Sequence, residues 1–111
     1  MIEKTILDYL KDNDVNAYME RPSTEPAEYV LLEKTSSSTR DMVTTSTIAI
    51  QSYAKSLYEA ASLNEHIKEL MKEVDTLIGV SASKLVSDYN YTNTAAKRYR
   101  YQAVFEITHK E

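Results

Sequence analysis

Residues 55–77 constrain the fold most. Leu57, Ala60, Ala61, Ile67, Leu70, Met71, Val74 and Leu77 recur at spacings that place them on one stripe of a helix. A stripe that wide must be buried against something. Ser56 with Glu59 matches a capping box at its start, and Gly79, the only glycine in the chain, follows its end as a helix stop does.

The surface it covers is predicted by the segments around it. Residues 98–109 alternate with a period of two. Tyr99, Tyr101, Ala103, Phe105 and Ile107 face one way, and Arg98, Arg100, Gln102, Val104, Glu106 and Thr108 the other. Residues 80–91 form a second strand, with Val80 and Ala82 out of phase with Leu85, Tyr89 and Tyr91. A bulge near Ser83-Lys84 reconciles the two phases, and Thr92–Ala96 makes the turn between the strands.

Val43–Tyr53, rich in threonine and isoleucine, is a long strand that pairs back on residues 29–34, of which Tyr29–Leu32 is a compact apolar run. Between them, residues 35–41 read as a polar, flexible hairpin tip rather than a tight two-residue turn. Residues 2–12 are helical, with Ile2, Ile6, Tyr9 and Leu10 on one face, and Asp12-Asn13-Asp14 ends that helix. Val15–Glu20 is a short strand, and Arg21–Ala27 is a loop fixed by Pro22 and Pro26.

The order is α-β-β-β-α-β-β. It implies one α+β domain over residues 1–111, with a mainly antiparallel sheet of about five strands and two helices packed on it.

Composition narrows the function. With no cysteine, there are no disulfides, thiolate metal sites or cysteine nucleophiles, and a single glycine excludes Gly-rich phosphate loops. The N-terminus has no basic region followed by an apolar run, so export by a signal peptide is not expected, and no apolar stretch approaches the ~20 residues that span a bilayer.

Net charge is −4 and uneven. Residues 1–33 hold eight acids and three bases, while residues 34–111 hold nine acids and ten bases. That balance does not suit a protein that grips nucleic acid.

No catalytic constellation stands out. His66 has Glu65, Glu69 and Glu73 near it at helical spacing, but an acidic helix face is more often solvated than metal-binding. His109 has no evident partner, and Ser36, Ser37 and Ser38 have no neighbouring base. The expectation is therefore no enzyme, no metal and no cofactor. Lys97-Arg98-Tyr99-Arg100-Tyr101 is a basic-aromatic cluster that could stack single-stranded nucleic acid, but a strand with tyrosines inward and arginines outward fits better.

Two segments resemble a known family. Ala49 to Glu65 reads Ala-Ile-Gln-Ser-Tyr-Ala-Lys-Ser-Leu-Tyr-Glu-Ala-Ala-Ser-Leu-Asn-Glu. The second, Ser87 to His109, includes Asp-Tyr-Asn-Tyr and Lys-Arg-Tyr-Arg-Tyr-Gln-Ala-Val-Phe-Glu-Ile-Thr-His. Both are similar to the small tail proteins of long-tailed phages and prophages of Gram-positive bacteria, described variously as minor capsid, tail completion or tail terminator proteins. Met1-Ile2-Glu3 to Tyr9-Leu10, Tyr18-Met19-Glu20, Pro22 and Tyr29-Val30-Leu31 follow the same pattern.

The resemblance implies a hexameric ring on the end of the tail tube. Such a ring stops tube growth and docks a head completion or connector protein, and DNA passes through it without specific binding. It implies a place in the virion's tail or neck, after assembly in the host cytoplasm. A head-side neck or connector protein is the nearest alternative, and a small nucleic-acid-binding module is a more distant one.

Interface residues expected on this reading are Ser36, Ser37, Ser38, Thr39, Arg40 and Asp41 at the hairpin tip, with Lys97, Arg98 and Arg100 on the last strand. The arginines are expected to meet the acidic N-terminal region of a neighbouring copy. Six copies at −4 each carry −24, which repels DNA from the lumen if the acids face inward.

Overall fold

The computed structural model describes residues 1–93, 95 and 98–110. Helix α1 (Ile2–Asp12) buries Ile2, Ile6 and Leu10, the i, i+4, i+8 face of its sequence. It stops as expected at Asn13-Asp14. Asp14 takes the left-handed conformation (φ 64°), Val15 N–H donates to the Leu10 carbonyl, and Asp14 N–H donates to that of Lys11. This Schellman closure satisfies the carbonyls left over at the helix end.

Five strands follow in the sheet order β1-β2-β3-β5-β4. They are β1 (Ala17–Tyr18), β2 (Tyr29–Arg40), β3 (Val43–Ala54), β4 (Val80–Asn90) and β5 (Tyr99–Lys110). All neighbours are antiparallel except β1, which pairs in parallel with Val30 and Leu31 of β2. The sheet is thus mixed at one edge, and the expected strand Val15–Glu20 shrinks to two residues.

Helix α2 (Leu57–Met71) and a 3₁₀ turn (Val74–Thr76) lie between β3 and β4. Ser56 caps α2 by accepting a hydrogen bond from Glu59 N–H at 3.1 Å. The helix is shorter than the predicted 55–77, because the chain tightens into the 3₁₀ turn before Gly79 (φ 87°) feeds β4. Val74 stays buried through this change.

Both helices cover the same face of the sheet. The core joins Ile2, Ile6, Leu10, Ile67, Met71 and Val74 to Val30, Leu32, Ile48, Ile50, Ala103, Phe105 and Ile107. The predicted alternation of β5 holds: Ala103, Phe105 and Ile107 are buried, and His109 continues the series. Leu57 of the predicted stripe is exposed, whereas Asn64, a polar residue, is buried. Its Nδ2 donates to Asp88 on β4 at 2.6 Å, and Lys68 reaches the same carboxylate at 2.6 Å.

The largest correction concerns residues 35–41. They form no flexible tip: Thr35 to Arg40 continue β2, paired with β3 out to Arg40–Val43. Asp41 and Met42 alone make the turn, with φ of 52° and 65°. Two successive positive φ values are the mark of a type I′ turn, whose twist matches that of the strands. Side-chain polarity misled the reading, since Ser and Thr suit a solvated sheet edge as well as a loop.

β4 is also irregular in a different place from the expected Ser83-Lys84. Its register shifts lie between Val80 and Ala82 and between Leu85 and Ser87, and they leave Ser81 and Val86 as the extra residues.

Two outcomes are expected. Ile67→Ala empties a fully buried site and should destabilise the fold by about 2–5 kcal/mol in urea unfolding. Asp41→Asn with Met42→Gly should stabilise it by about 1 kcal/mol, because those residues tolerate the left-handed turn better.

Candidate assembly surface

The helices leave one face of the sheet uncovered. By strand register this face carries Leu31, Glu33, Ser36, Ser38 and Arg40 on β2, and Thr45, Thr47, Ala49, Gln51 and Tyr53 on β3. Arg100, Gln102, Val104, Glu106, Thr108 and Lys110 follow on β5. Ala82, Lys84, Ser87 and Tyr89 complete it on β4. The pattern has the mixed polarity of a surface that meets water or another protein.

One end of this face is rigidly organised. Tyr29 and Tyr53 stack with ring centroids 4.8 Å apart and planes 3° apart. The Arg100 guanidinium donates to the Tyr53 hydroxyl at 2.8 Å and to the Tyr91 carbonyl at 2.6 Å. It also lies 4.3 Å from the centre of the Tyr91 ring. Tyr53 donates to Gln51 at 3.1 Å, Gln51 to Gln102 at 2.8 Å, and Gln102 to the Tyr89 hydroxyl. Tyr89 meets Tyr91 edge to face. The network joins β2, β3, β5 and β4, and its linked donors and acceptors make a fixed platform rather than a reactive centre.

The loop 19–28 is strapped to the same end through Glu25. Its carboxylate accepts from the Tyr29 hydroxyl at 2.7 Å and from Arg98 at 3.0 Å, with Arg21 at 3.5 Å. The Tyr29 hydrogen bond, helped by Arg98 and Arg21, holds the Glu25 carboxyl below its usual range. Burial, reinforced by the Glu25 charge, pushes the Tyr29 phenol up to about 12.

The predicted interface residues therefore fall into two separate groups. Ser36–Asp41 lie at the hairpin end, level with Lys110, and Arg98 and Arg100 lie at the other end, level with Tyr53. Ten residues of strand, about 33 Å, separate Arg40 from Arg100, and six residues, about 20 Å, separate Ser36 from it. Arg98 does meet the acidic N-terminal region, but in its own chain through Glu25. Lys97 lies outside the described residues, as do Thr94 and Ala96 of the predicted turn. Within the hairpin, Ser36, Ser38 and Arg40 belong to the uncovered face. Ser37 and Thr39 belong to the other, where Thr39 shares a hydrogen bond with Thr44 at 2.8 Å.

The turn residue Met42, 85% exposed, is the most prominent apolar group of the hairpin, and the sequence reading missed it. It also missed Tyr29, Gln51, Tyr53 and Tyr89, since no sequence spacing reveals a cluster built across four strands. The acids of residues 1–33 lie mainly on α1 and the 19–28 loop. By register, the uncovered face holds Arg40, Lys84, Arg100 and Lys110 against Glu33 and Glu106.

His109 is not without a partner. Its Nε2 lies 2.8 Å from Ser46 Oγ, and its Nδ1 lies 3.2 Å from the Lys110 carbonyl. Donation from Nδ1 to that carbonyl leaves Nε2 as the acceptor of the Ser46 hydroxyl. The spacing is that of a nucleophile and its base, but Ser46 is 1% exposed, and the pair satisfies two polar groups at the core's rim. Both line a cleft of about 320 Å³ with Glu3 and Lys34. His66 is exposed, and no group of metal-binding side chains occurs among the described residues.

No family model matches the chain, and no curated protein matches it. No described helix is long and apolar enough to cross a membrane.

The strap carries a pH signature. The lowered pKa of Glu25 contributes stability that is present above its unfolded value of about 4.3 and is lost as pH falls through the folded value. Tyr29 is the reverse: a phenol raised from 10 to about 12 contributes stability that is lost as pH rises between those values. Alkaline absorbance titration should show Tyr29 ionising about two units late, with Tyr9 also delayed by its burial, and Glu25→Ala should bring Tyr29 back toward the others.

Proposed function

We propose that this chain is a structural assembly protein of a virion: a tail terminator that forms a ring on the end of a phage tail tube, stops its polymerisation and presents the surface that joins the head. One observation carries the reading. The two segments that resemble the tail proteins, Ala49–Glu65 and Ser87–His109, are far apart in sequence but adjacent in space. Their strands β3 and β5 pair from Val43–Lys110 to Ala54–Tyr99, so the resemblance covers the centre of one folded unit.

The geometry is compatible with that role. The molecule is elongated, 45 Å in its longest dimension, with helices on one face of the sheet and the other face open. A ring of identical subunits closes through heterologous, head-to-tail contacts between two different surfaces of each copy. The Asp41-Met42 turn stands at one end, with Arg40 and Val43 beside it, and supplies a charged rim around an exposed methionine. On this reading it is the docking point for the tube protein, since apolar anchors with polar rims dominate protein contacts.

Arg98 and Arg100 are held by Glu25, Tyr53 and Tyr91. Their engagement disfavours a nucleic-acid platform, which needs guanidinium groups free to meet phosphate.

The test is to mix the purified chain with its cognate tube protein and image the product. Tubes of limited length with a ring at one end are expected, and Met42→Asp with Arg40→Glu should keep the fold and lengthen the tubes at least several-fold. Long uncapped tubes with the unaltered chain, and binding to a head-side connector instead, would move the assignment to the neck.

A further inference from the structure

Among the described residues, both sides of the sheet end in strand edges that are largely without a partner strand. β1 covers β2 only at Val30 and Leu31, so the outer edge of β2 from Leu32 to Arg40 has no strand beside it among the described residues. β4 is the last strand on the other side, and among the described residues no strand lies beside its outer edge, although the Val80 N–H is taken by the Leu77 carbonyl. Unpaired backbone donors and acceptors along an edge are a template for another strand.

The two edges are complementary in direction. Each strand from β2 through β3 and β5 to β4 runs antiparallel to its neighbour. A second copy set beside the first in the same orientation therefore brings its β4 antiparallel to β2 and keeps the helices of both copies on one side. We propose that copies of this chain associate in this way, β4 of one copy extending the sheet of the next along β2, with Lys84 opposite Glu33.

Three observations favour this register. Glu33 and Lys84 are exposed, of opposite charge, and both on the uncovered face. Placing them opposite each other sets Leu85 against Leu32 on the helix face. Leu85 is 44% exposed in the single chain, and this contact would cover it. The extra residue Val86 then falls where β1 begins to occupy the edge of β2. A bulge bends its strand, and here it turns the incoming β4 away from β1, so the pairing stops where the edge is no longer free.

The contact is heterologous: it uses one edge from each copy and leaves both a β2 and a β4 edge to propagate. It rests on the tail reading only for closure into a ring. Two copies pairing β4 with β4 about a twofold axis is the competing arrangement, and it would consume the edge without propagating.

The absence of cysteine from the chain makes the test direct. Glu33→Cys and Lys84→Cys proteins, mixed and oxidised, should form a dimer linked 33 to 84. The double variant should give a ladder of oligomers, and neither single variant should link to itself faster than a Tyr58→Cys control on α2. Glu33→Lys should weaken self-association up to about fivefold, the range of an exposed ion pair, and adding Lys84→Glu should restore it. Self-linking of the Lys84→Cys protein alone would establish the twofold arrangement and overturn the proposal. So would mixed links no faster than the control. Rings that cap tubes without the 33–84 link would defeat the edge pairing and leave the tail assignment standing. The link in a protein that caps no tube would do the opposite.

Discussion

The structure depends on β3. It is paired on both sides from Val43 to Tyr53, with β2 and β5. Its helix-facing residues Ile48 and Ile50 are fully buried in the core, and Thr44, Ser46 and Ser52 extend that row at its ends. Its other face carries Gln51 and Tyr53, which anchor the polar-aromatic platform. A single strand thus supplies both the hydrophobic layer that fastens the helices and the rigid part of the surface left open. Helix α1 and the 19–28 loop are fastened to this frame from the β2 side, and α2 from the β5 side.

Polar groups do unusual structural service for so small a domain. Asn64, Asp88 and Lys68 tie α2 to the outer strand β4, so the strand proposed to receive the next copy is held in place by charge-assisted hydrogen bonds rather than by apolar cover. Glu25 ties the loop to the start of β5 through Arg98. The exposed edges can then stay solvated in the isolated chain, and the bulges of β4 keep that edge from lying flat.

The elements themselves were largely legible in the sequence. The α-β-β-β-α-β-β order, the cap at Ser56, the stop at Asn13-Asp14 and the alternating face of β5 each follow from a period or a residue's local hydrogen bonding, which act over a few positions. Misreadings arose where one composition serves two conformations. Ser36–Arg40 are as polar as a loop but lie in a ladder, because β3 opposite them is held straight by β5. The far end of the predicted 55–77 helix tightened into a 3₁₀ turn to deliver the chain to β4.

The sequence by itself determined which residues are helical or extended and which face of each is apolar, because those are properties of neighbouring positions along one chain. Only the tertiary structure decided the rest. It set the parallel pairing of the two-residue β1, the union of Tyr29, Tyr53, Tyr89, Gln102 and Arg100 in one surface network, and the separation of the hairpin turn from the arginines. It also left β2 and β4 as open edges of opposite direction. Those features depend on strand order and register, which are chosen by how the whole core packs and which no local pattern encodes.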